Sequence, residues 1–156
     1  MKAFTRLDAL AAPLPLANVD TDQIIPAVYL KRVTRSGFED GLFSAWRNDP
    51  EFVLNQDQYA GAKIVLAKDN FGCGSSREMA VWAIADYGIR VLISSRFADI
   101  FYNNCFKNGL LPIVFPTEAI EALQKFLLQS PGGTLHVDLN AQQVKSKDGQ
   151  CYNFEI

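Results

Sequence analysis

The sequence predicts an α/β protein with a parallel βαβαβ core, and three observations carry that expectation. Between Lys63 and Phe115, short apolar runs alternate with helical patterns, as parallel strands joined by right-handed crossovers require. A glycine turn, Gly72-Cys73-Gly74, follows the first run, at the carboxyl end of a strand where such sheets hold ligands. From residue 134 onward the pattern changes to period-two alternation, and Asp148-Gly149 marks a hairpin. The 156 residues suffice for one domain, 1–156, with a real core.

The elements follow in order. Residues 1–17 mix apolar and small residues with Pro13 and Pro15, which predicts short irregular strands. Asn18-Val19-Asp20-Thr21-Asp22-Gln23-Ile24-Ile25-Pro26 reads as a loop, because Asp and Thr side chains bond the backbone in such turns. Residues 37–46 predict a short helix with Phe38, Leu42, Phe43 and Trp46 on one face. Asn48 to Gly61 is polar and loop-like, with Pro50 as a breaker. The core then places strands at 64–67, 90–94 and 110–115 and helices at about 76–87 and 97–107. A helix at about 117–129 leads to strands at 134–139, 142–146 and 151–156. No internal repeat or low-complexity segment interrupts this order.

Composition excludes several classes of function. Nearly half the residues are apolar and about a fifth charged, as in an ordinary globular protein. A net charge of −2 without a basic cluster argues against nucleic-acid and acidic-membrane partners. The N-terminus carries no apolar signal region and no run reaches membrane-spanning length, so a cytoplasmic protein is expected. Cys73, Cys105 and Cys151 lack metal-site spacing and read as small buried hydrophobes. Cys73, inside the glycine turn, is the candidate for a reactive thiol. His136, the only histidine, sits in an alternating strand and reads as structural, which removes histidine-based nucleophile schemes.

The stretch Asp69-Asn70-Phe71-Gly72-Cys73-Gly74-Ser75-Ser76-Arg77-Glu78 carries the chemistry. Ile64-Val65-Leu66-Ala67 leads in as a buried strand, and Met79 to Tyr87 leads out as a helix that stops at Gly88. Gly72 and Gly74 permit a tight turn, and Ser75 followed by Glu78 has capping-box spacing. Free N–H groups, the helix dipole and Arg77 would then converge on a small volume suited to an anion. A phosphate loop fails because no Gly-Lys-Ser/Thr follows. A dinucleotide fingerprint is partial, since Arg77 replaces the third glycine and Ser94, Ser95 and Arg96 stand where an acid should end the next strand. A carboxylate site fits best: Arg77 offers a bidentate fork and Ser75 or Ser76 can exchange a proton. The plain alternative leaves Ser75 as a helix cap only.

Three blocks also carry a resemblance. Phe71-Gly72-Cys73-Gly74-Ser75-Ser76-Arg77-Glu78 resembles the serine loop of the aconitase superfamily. Asn18 to Pro26 is similar to the family's upstream loop. Arg96-Phe97-Ala98-Asp99-Ile100-Phe101, with Asn103-Asn104 and Gly109-Leu110-Leu111-Pro112-Ile113, is similar to its downstream helix and turn. The blocks occur in the family's order, and within the superfamily the chain most resembles the small subunits of bacterial 3-isopropylmalate dehydratases. The resemblance implies a swivelling β/β/α domain of the aconitase C-terminal type, truncated at its C-terminus relative to the family.

The resemblance further implies a hydro-lyase of leucine biosynthesis that isomerises 2-isopropylmalate to 3-isopropylmalate through 2-isopropylmaleate, active only with its large subunit. Ser75 matches the residue that acts as base, and Gly74, Ser76 and Arg77 match residues that hold the substrate carboxylate. Tyr29, Leu30 and Lys31 match the loop beside the variable end of the substrate, where apolar Tyr29 and Leu30 suit an isopropyl group. The family uses a 4Fe–4S cluster. The three cysteines here do not match its ligand pattern, so the cluster is expected in the large subunit and no metal on this chain. The alternatives are a small subunit acting on homoaconitate or citramalate/citraconate, and an anion-binding module without chemistry of its own.

Overall fold

In the computed structural model the residues described are 6–14, 16–25, 42, 43, 46, 49, 50, 52–74, 78–129, 133–147 and 149–155. Among them are seven strands: β1 (Arg6–Leu14), β2 (Ile64–Ala67), β3 (Val91–Ser94), β4 (Leu111–Val114), β5 (Thr134–Asp138), β6 (Gln143–Ser146) and β7 (Cys151–Asn153). Four α-helices accompany them: α1 (Thr21–Ile24), α2 (Glu78–Tyr87), α3 (Asp99–Lys107) and α4 (Thr117–Gln129). The strands form one sheet in the order β4-β3-β2-β1-β5-β6-β7. β1 to β4 pair in parallel, and β1-β5-β6-β7 pair antiparallel.

The nine-residue β1 joins the two halves and corrects the expectation of short irregular strands. Its first part, Arg6 to Leu10, pairs with β5; its second part, Ala11 to Leu14, pairs with β2. Pro13, which made the strand hard to read, costs no ladder bond. Ala11 N–H donates toward the β5 side, to Gly133 O, and Pro13, two residues on, points its ring nitrogen the same way, beyond the start of β5. Pro112 is tolerated because β4 is an edge strand.

Both faces of the parallel half are covered, so β2 and β3 are buried at every position. One face packs Ala12, Leu14, Val65 and Leu92 against α2 and α3 through Val81, Ile84, Phe101 and Cys105. The other packs Ala11, Leu66, Ile93 and Ile113 against α4 through Ile120, Leu123 and Leu127. Placing α2 and α3 on one face is what two successive crossovers of the same hand produce. α2 ends at Gly88 (φ +112), with Ile89 N–H reaching Ile84 O and Gly88 N–H reaching Ala85 O. α3 ends the same way at Gly109 (φ +73), with Leu110 N–H on Cys105 O.

Other expectations shift modestly. The core strands begin at Val91 and Leu111, α3 begins at Asp99, and the last strand stops at Asn153. Much of the helix expected at 37–46 lies outside the described residues. Leu42, Phe43 and Trp46 occupy turns, and the positive φ of Phe43 (+52) breaks a helix at that position. Leu42 and Phe43 are nevertheless fully buried, with Trp46 stacked on Phe43 at 5.6 Å between ring centres. Within 48–61, short 3-10 turns occur at Val53–Asn55 and Asp57–Tyr59.

Candidate functional site

The three blocks singled out in the sequence meet beyond the carboxyl ends of β2 and β3. Asn18 N–H donates to Asp69 O at 2.8 Å, Gly72 N–H to Val19 O at 2.7 Å, and Thr21 N–H to Cys73 O at 2.9 Å. On the other side, Phe71 N–H donates to Arg96 O at 2.9 Å and Ala98 N–H to Phe71 O at 3.1 Å. The glycine turn is thus held between two main-chain ladders, with isolated bridges at Asp20–Cys73 and Phe71–Phe97. Buried Ser94 closes the seam: its Oγ donates toward Lys68 O (2.6 Å) and Arg96 O (2.9 Å). Asn18 and Asn70 both adopt positive φ, and the Asn70 amide donates to Asn18 Oδ1 at 3.1 Å.

The stretch around Asp20 is a helix start and not only a loop, which corrects the sequence reading. Asp20 caps α1, accepting from Gln23 N–H at 2.8 Å, while Gln23 Oε1 accepts from Asp20 N–H at 3.0 Å. This is a capping box of the Asp-x-x-Gln type. A four-residue helix has no stability of its own. The Thr21–Cys73 bond and the Phe43 N–H bond to Ile24 O tie it to its surroundings.

Both glycines are required where they stand. Gly72 has φ +82, and a Cβ there would lie 2.3 Å from Cγ of Phe101. Gly74 has φ +92, and its Cβ would meet Asp20 Cβ at 3.4 Å and Thr21 Oγ1 at 3.5 Å. The turn therefore presses on α3 through Gly72, whereas at Gly74 it is the left-handed backbone rather than lack of room that calls for glycine. Beneath it, Phe71, Phe97 and Phe101 pack edge-on and stacked, with centroids 5.5–6.4 Å apart.

Past the turn, α2 opens with Glu78. Its Oε1 accepts from Asn108 Nδ2 at 3.1 Å; the same amide donates to Asn104 O at 2.9 Å, and Asn108 Oδ1 accepts from Trp82 Nε1 at 3.1 Å. Buried Asn108, the residue that caps α3, was missed in the sequence. Its position before Gly109 marked a helix end but not a partner 30 residues away.

Of the predicted site residues, Gly74 is placed on the turn against α1. Ser75, Ser76 and Arg77, and also Tyr29, Leu30 and Lys31, lie outside the described residues. Ser75 to Arg77 are the links between two anchored neighbours, Gly74 and Glu78. Beside them, exposed Arg96 pairs with Asp69 at 3.4 Å, and Ser95 Oγ donates to the same carboxylate at 3.1 Å. A surface pair of this kind is worth about 0–1 kcal/mol.

The cysteines occupy three different elements. Cys73 is half-buried on the glycine turn, Cys151 is exposed on β7, and Cys105 is buried in α3, where desolvation pushes its thiol far up. Among the described residues no three His, Cys, Asp or Glu side chains are grouped as a metal site requires. The described donors of this chain do not fit an iron–sulfur cluster, which needs closely arranged thiolates. His136 contacts Asp8 across the β1–β5 ladder, on the opposite half of the sheet from the turn. Among the described residues no helix is long and apolar enough to cross a membrane.

The arrangement can be compared with known proteins. Residues 1–118 match the Aconitase C-terminal domain model, and residues 121–156 match the LeuD_N model. A 3-isopropylmalate dehydratase small subunit of Cereibacter sphaeroides is 52% identical over all of this chain and 81% of its own length. One from Phenylobacterium zucineum is 56% identical, over all of this chain and 79% of its own length. The crystal structure of 3-isopropylmalate dehydratase from Methanocaldococcus jannaschii superposes with a TM-score of 0.74 at 30% identity, covering 96% of this chain and 81% of that one. The mixed sheet, with its parallel half and its glycine turn, is therefore the β/β/α fold of the aconitase C-terminal type, and the chain belongs to the 3-isopropylmalate dehydratase small-subunit family.

Proposed function

We propose that this chain, assembled with a large subunit, isomerises 2-isopropylmalate to 3-isopropylmalate through 2-isopropylmaleate in leucine biosynthesis, and that Gly74 to Arg77 form its half of a shared active site. One observation carries the reading of the site. The upstream loop, the glycine turn and the segment after β3 are stitched by main-chain hydrogen bonds into one frame, and that frame leads directly into Ser75. The main-chain bonds on both sides of the turn hold Gly74, the residue before Ser75, which supports this reading.

From there the chemistry follows. Proton removal from carbon beside a carboxylate is hard because negative charge builds up on that carboxylate. Arg77 binds it as a fork, and Ser76 with the main chain at Gly74 adds donors aligned with the growing charge. Ser75 Oγ takes the proton. A serine hydroxyl is a very poor acid, so its alkoxide needs nearby positive charge. The start of α2 offers roughly half a unit, and Arg77 a full one. Rehydration in the opposite sense returns the proton from Ser75.

Departure of the hydroxyl needs a Lewis acid, which a 4Fe–4S cluster in the large subunit would supply. Cys73, Cys105 and Cys151 sit on separate elements, which supports placing the cluster on the partner. The resemblance assigns Tyr29, Leu30 and Lys31 to the variable end of the substrate, where apolar Tyr29 and Leu30 suit an isopropyl group. The setting is the cytoplasm, with a small 2-hydroxy dicarboxylic acid as ligand and neither nucleic acid nor membrane as partner. The net charge of −2 supports this.

The test is Ser75→Ala in the complex with a cluster-loaded large subunit, following absorbance of the unsaturated intermediate. Turnover should vanish while the two chains still co-elute. Retained turnover would sink the assignment of Ser75.

A further inference from the structure

We infer that Asn108 is a positioning residue for the reaction: its side-chain amide fixes α2 against the end of α3, and α2 follows directly on the Ser75 to Arg77 segment proposed to act on substrate. The observation is a buried amide that joins the end of α3 to α2. Asn108 Nδ2 reaches the Glu78 carboxylate in the first turn of α2 at 3.1 Å and the Asn104 carbonyl of α3 at 2.9 Å. Its Oδ1 takes the Trp82 indole N–H, one turn further along α2, at 3.1 Å. Glu78 and Trp82 are four residues apart and so share one helical face. Two contacts on that face, one through each end of the same amide, set both the position of α2 along α3 and its rotation.

The anchor lies at a useful place. Gly74 is held against α1 by main-chain contacts on its neighbours, and Glu78 is the next described residue after Ser75 to Arg77. Only those three residues separate the two fixed points. A shift of Glu78 therefore changes the span that those three residues must bridge from Gly74. Asn108 is itself held by a main-chain cap, its N–H bonding Cys105 O at 3.1 Å, with Gly109 at φ +73 behind it. The amide thus transmits the position of the α3 end, which is packed in the core through Cys105, to the residues proposed to touch substrate.

The assignment rests on Ser75 and Arg77 acting as proposed above, and the variants separate the two readings. Asn108→Asp keeps the shape and the Trp82 acceptor but turns a donor toward Glu78 into a carboxylate facing a carboxylate. In the assembled, cluster-loaded enzyme, kcat should fall at least about tenfold, as expected when reacting groups move by a fraction of an ångström to one ångström, with KM little changed. Adding Glu78→Gln restores a donor–acceptor pair in reverse, and the double variant should recover part of kcat, the lost donor to Asn104 O remaining lost. Glu78→Ala removes the link from the exposed side, where folding is not at risk, and should slow turnover as Asn108→Asp does.

A lower melting temperature with unchanged kcat in both Asn108→Asp and Glu78→Ala would reduce Asn108 to a structural cap and overturn the inference. So would a double variant no faster than Asn108→Asp alone. Turnover that survives Ser75→Ala in the same assay would strike the site reading itself.

Discussion

Gly72→Ala should destabilise this chain by about 2–5 kcal/mol, from two separable terms. The backbone at Gly72 sits at φ +82, in the left-handed region, where an L-residue pays about 1–2 kcal/mol. The new Cβ would also stand 2.3, 2.5 and 2.8 Å from Cγ, Cδ1 and Cδ2 of Phe101. That ring cannot swing away, because it is buried between Phe71 and Phe97 with centroids at 5.5 and 6.4 Å. Forcing an atom into a packed core costs about 1–3 kcal/mol.

Gly61 supplies the control, since it has nearly the same φ (+80) with nothing within 4 Å of a built Cβ. Gly61→Ala should cost only the backbone term, and the entropy effect of Gly→Ala on the unfolded chain, about 0.4–1 kcal/mol, is common to both. Urea unfolding of the two variants, compared at equal m-values, should show Gly72→Ala worse by about 1–3 kcal/mol, the overpacking term. Combining Gly72→Ala with Phe101→Leu should return part of that difference. Equal losses for Gly61→Ala and Gly72→Ala, with no coupling to Phe101, would refute the claim that the turn is pressed onto α3.

Three further outcomes are expected. In thiol-labelling of the native chain, Cys151 should react quickly, Cys73 more slowly, and Cys105 only on unfolding, read by mass spectrometry with and without urea. Because burial raises the Cys105 thiol, its contribution to stability is complete below the unfolded thiol value of about 8.5 and declines as pH rises past it. Cys105→Ala should flatten that alkaline decline relative to the parent, and an identical pH profile would contradict the burial. Leu30→Arg should weaken turnover of 2-isopropylmalate and favour substrates with a third carboxylate. An unchanged preference between isopropylmalate and homocitrate-type acids would remove that loop from substrate choice.

Legibility in the sequence tracked the range of the forces involved. The parallel core could be read because each strand is a short apolar run and each helix ends at a glycine, Gly88 or Gly109, whose role is local. The glycine turn could be placed for the same reason. β1 was misread because proline is normally excluded from an inner strand. Pro13 is allowed there only because β5 begins too late to need its donor, a fact of three-dimensional pairing. The Asp20–Gln23 capping box was present in the letters, but a four-residue helix survives only through bonds to Cys73 and Phe43, which no local pattern contains. Asn108 was invisible for the same reason: its partner Glu78 is 30 residues away.

The division of β1 between two partners has a consequence for how the chain is made. Its first five residues pair with β5, and Asp8 meets His136 across 128 residues of sequence. At ribosomal speeds of about 5–20 residues per second, roughly 6–26 seconds pass between synthesis of one side of that ladder and the other. During that interval β1 can pair with β2 along Ala11 to Leu14, but Arg6 to Leu10 emerge as an open edge. Arg6 and Asp8 are charged, the kind of residues that discourage pairing with a neighbouring chain on the same messenger. β1 thus carries its own guard against neighbouring copies until β5 arrives.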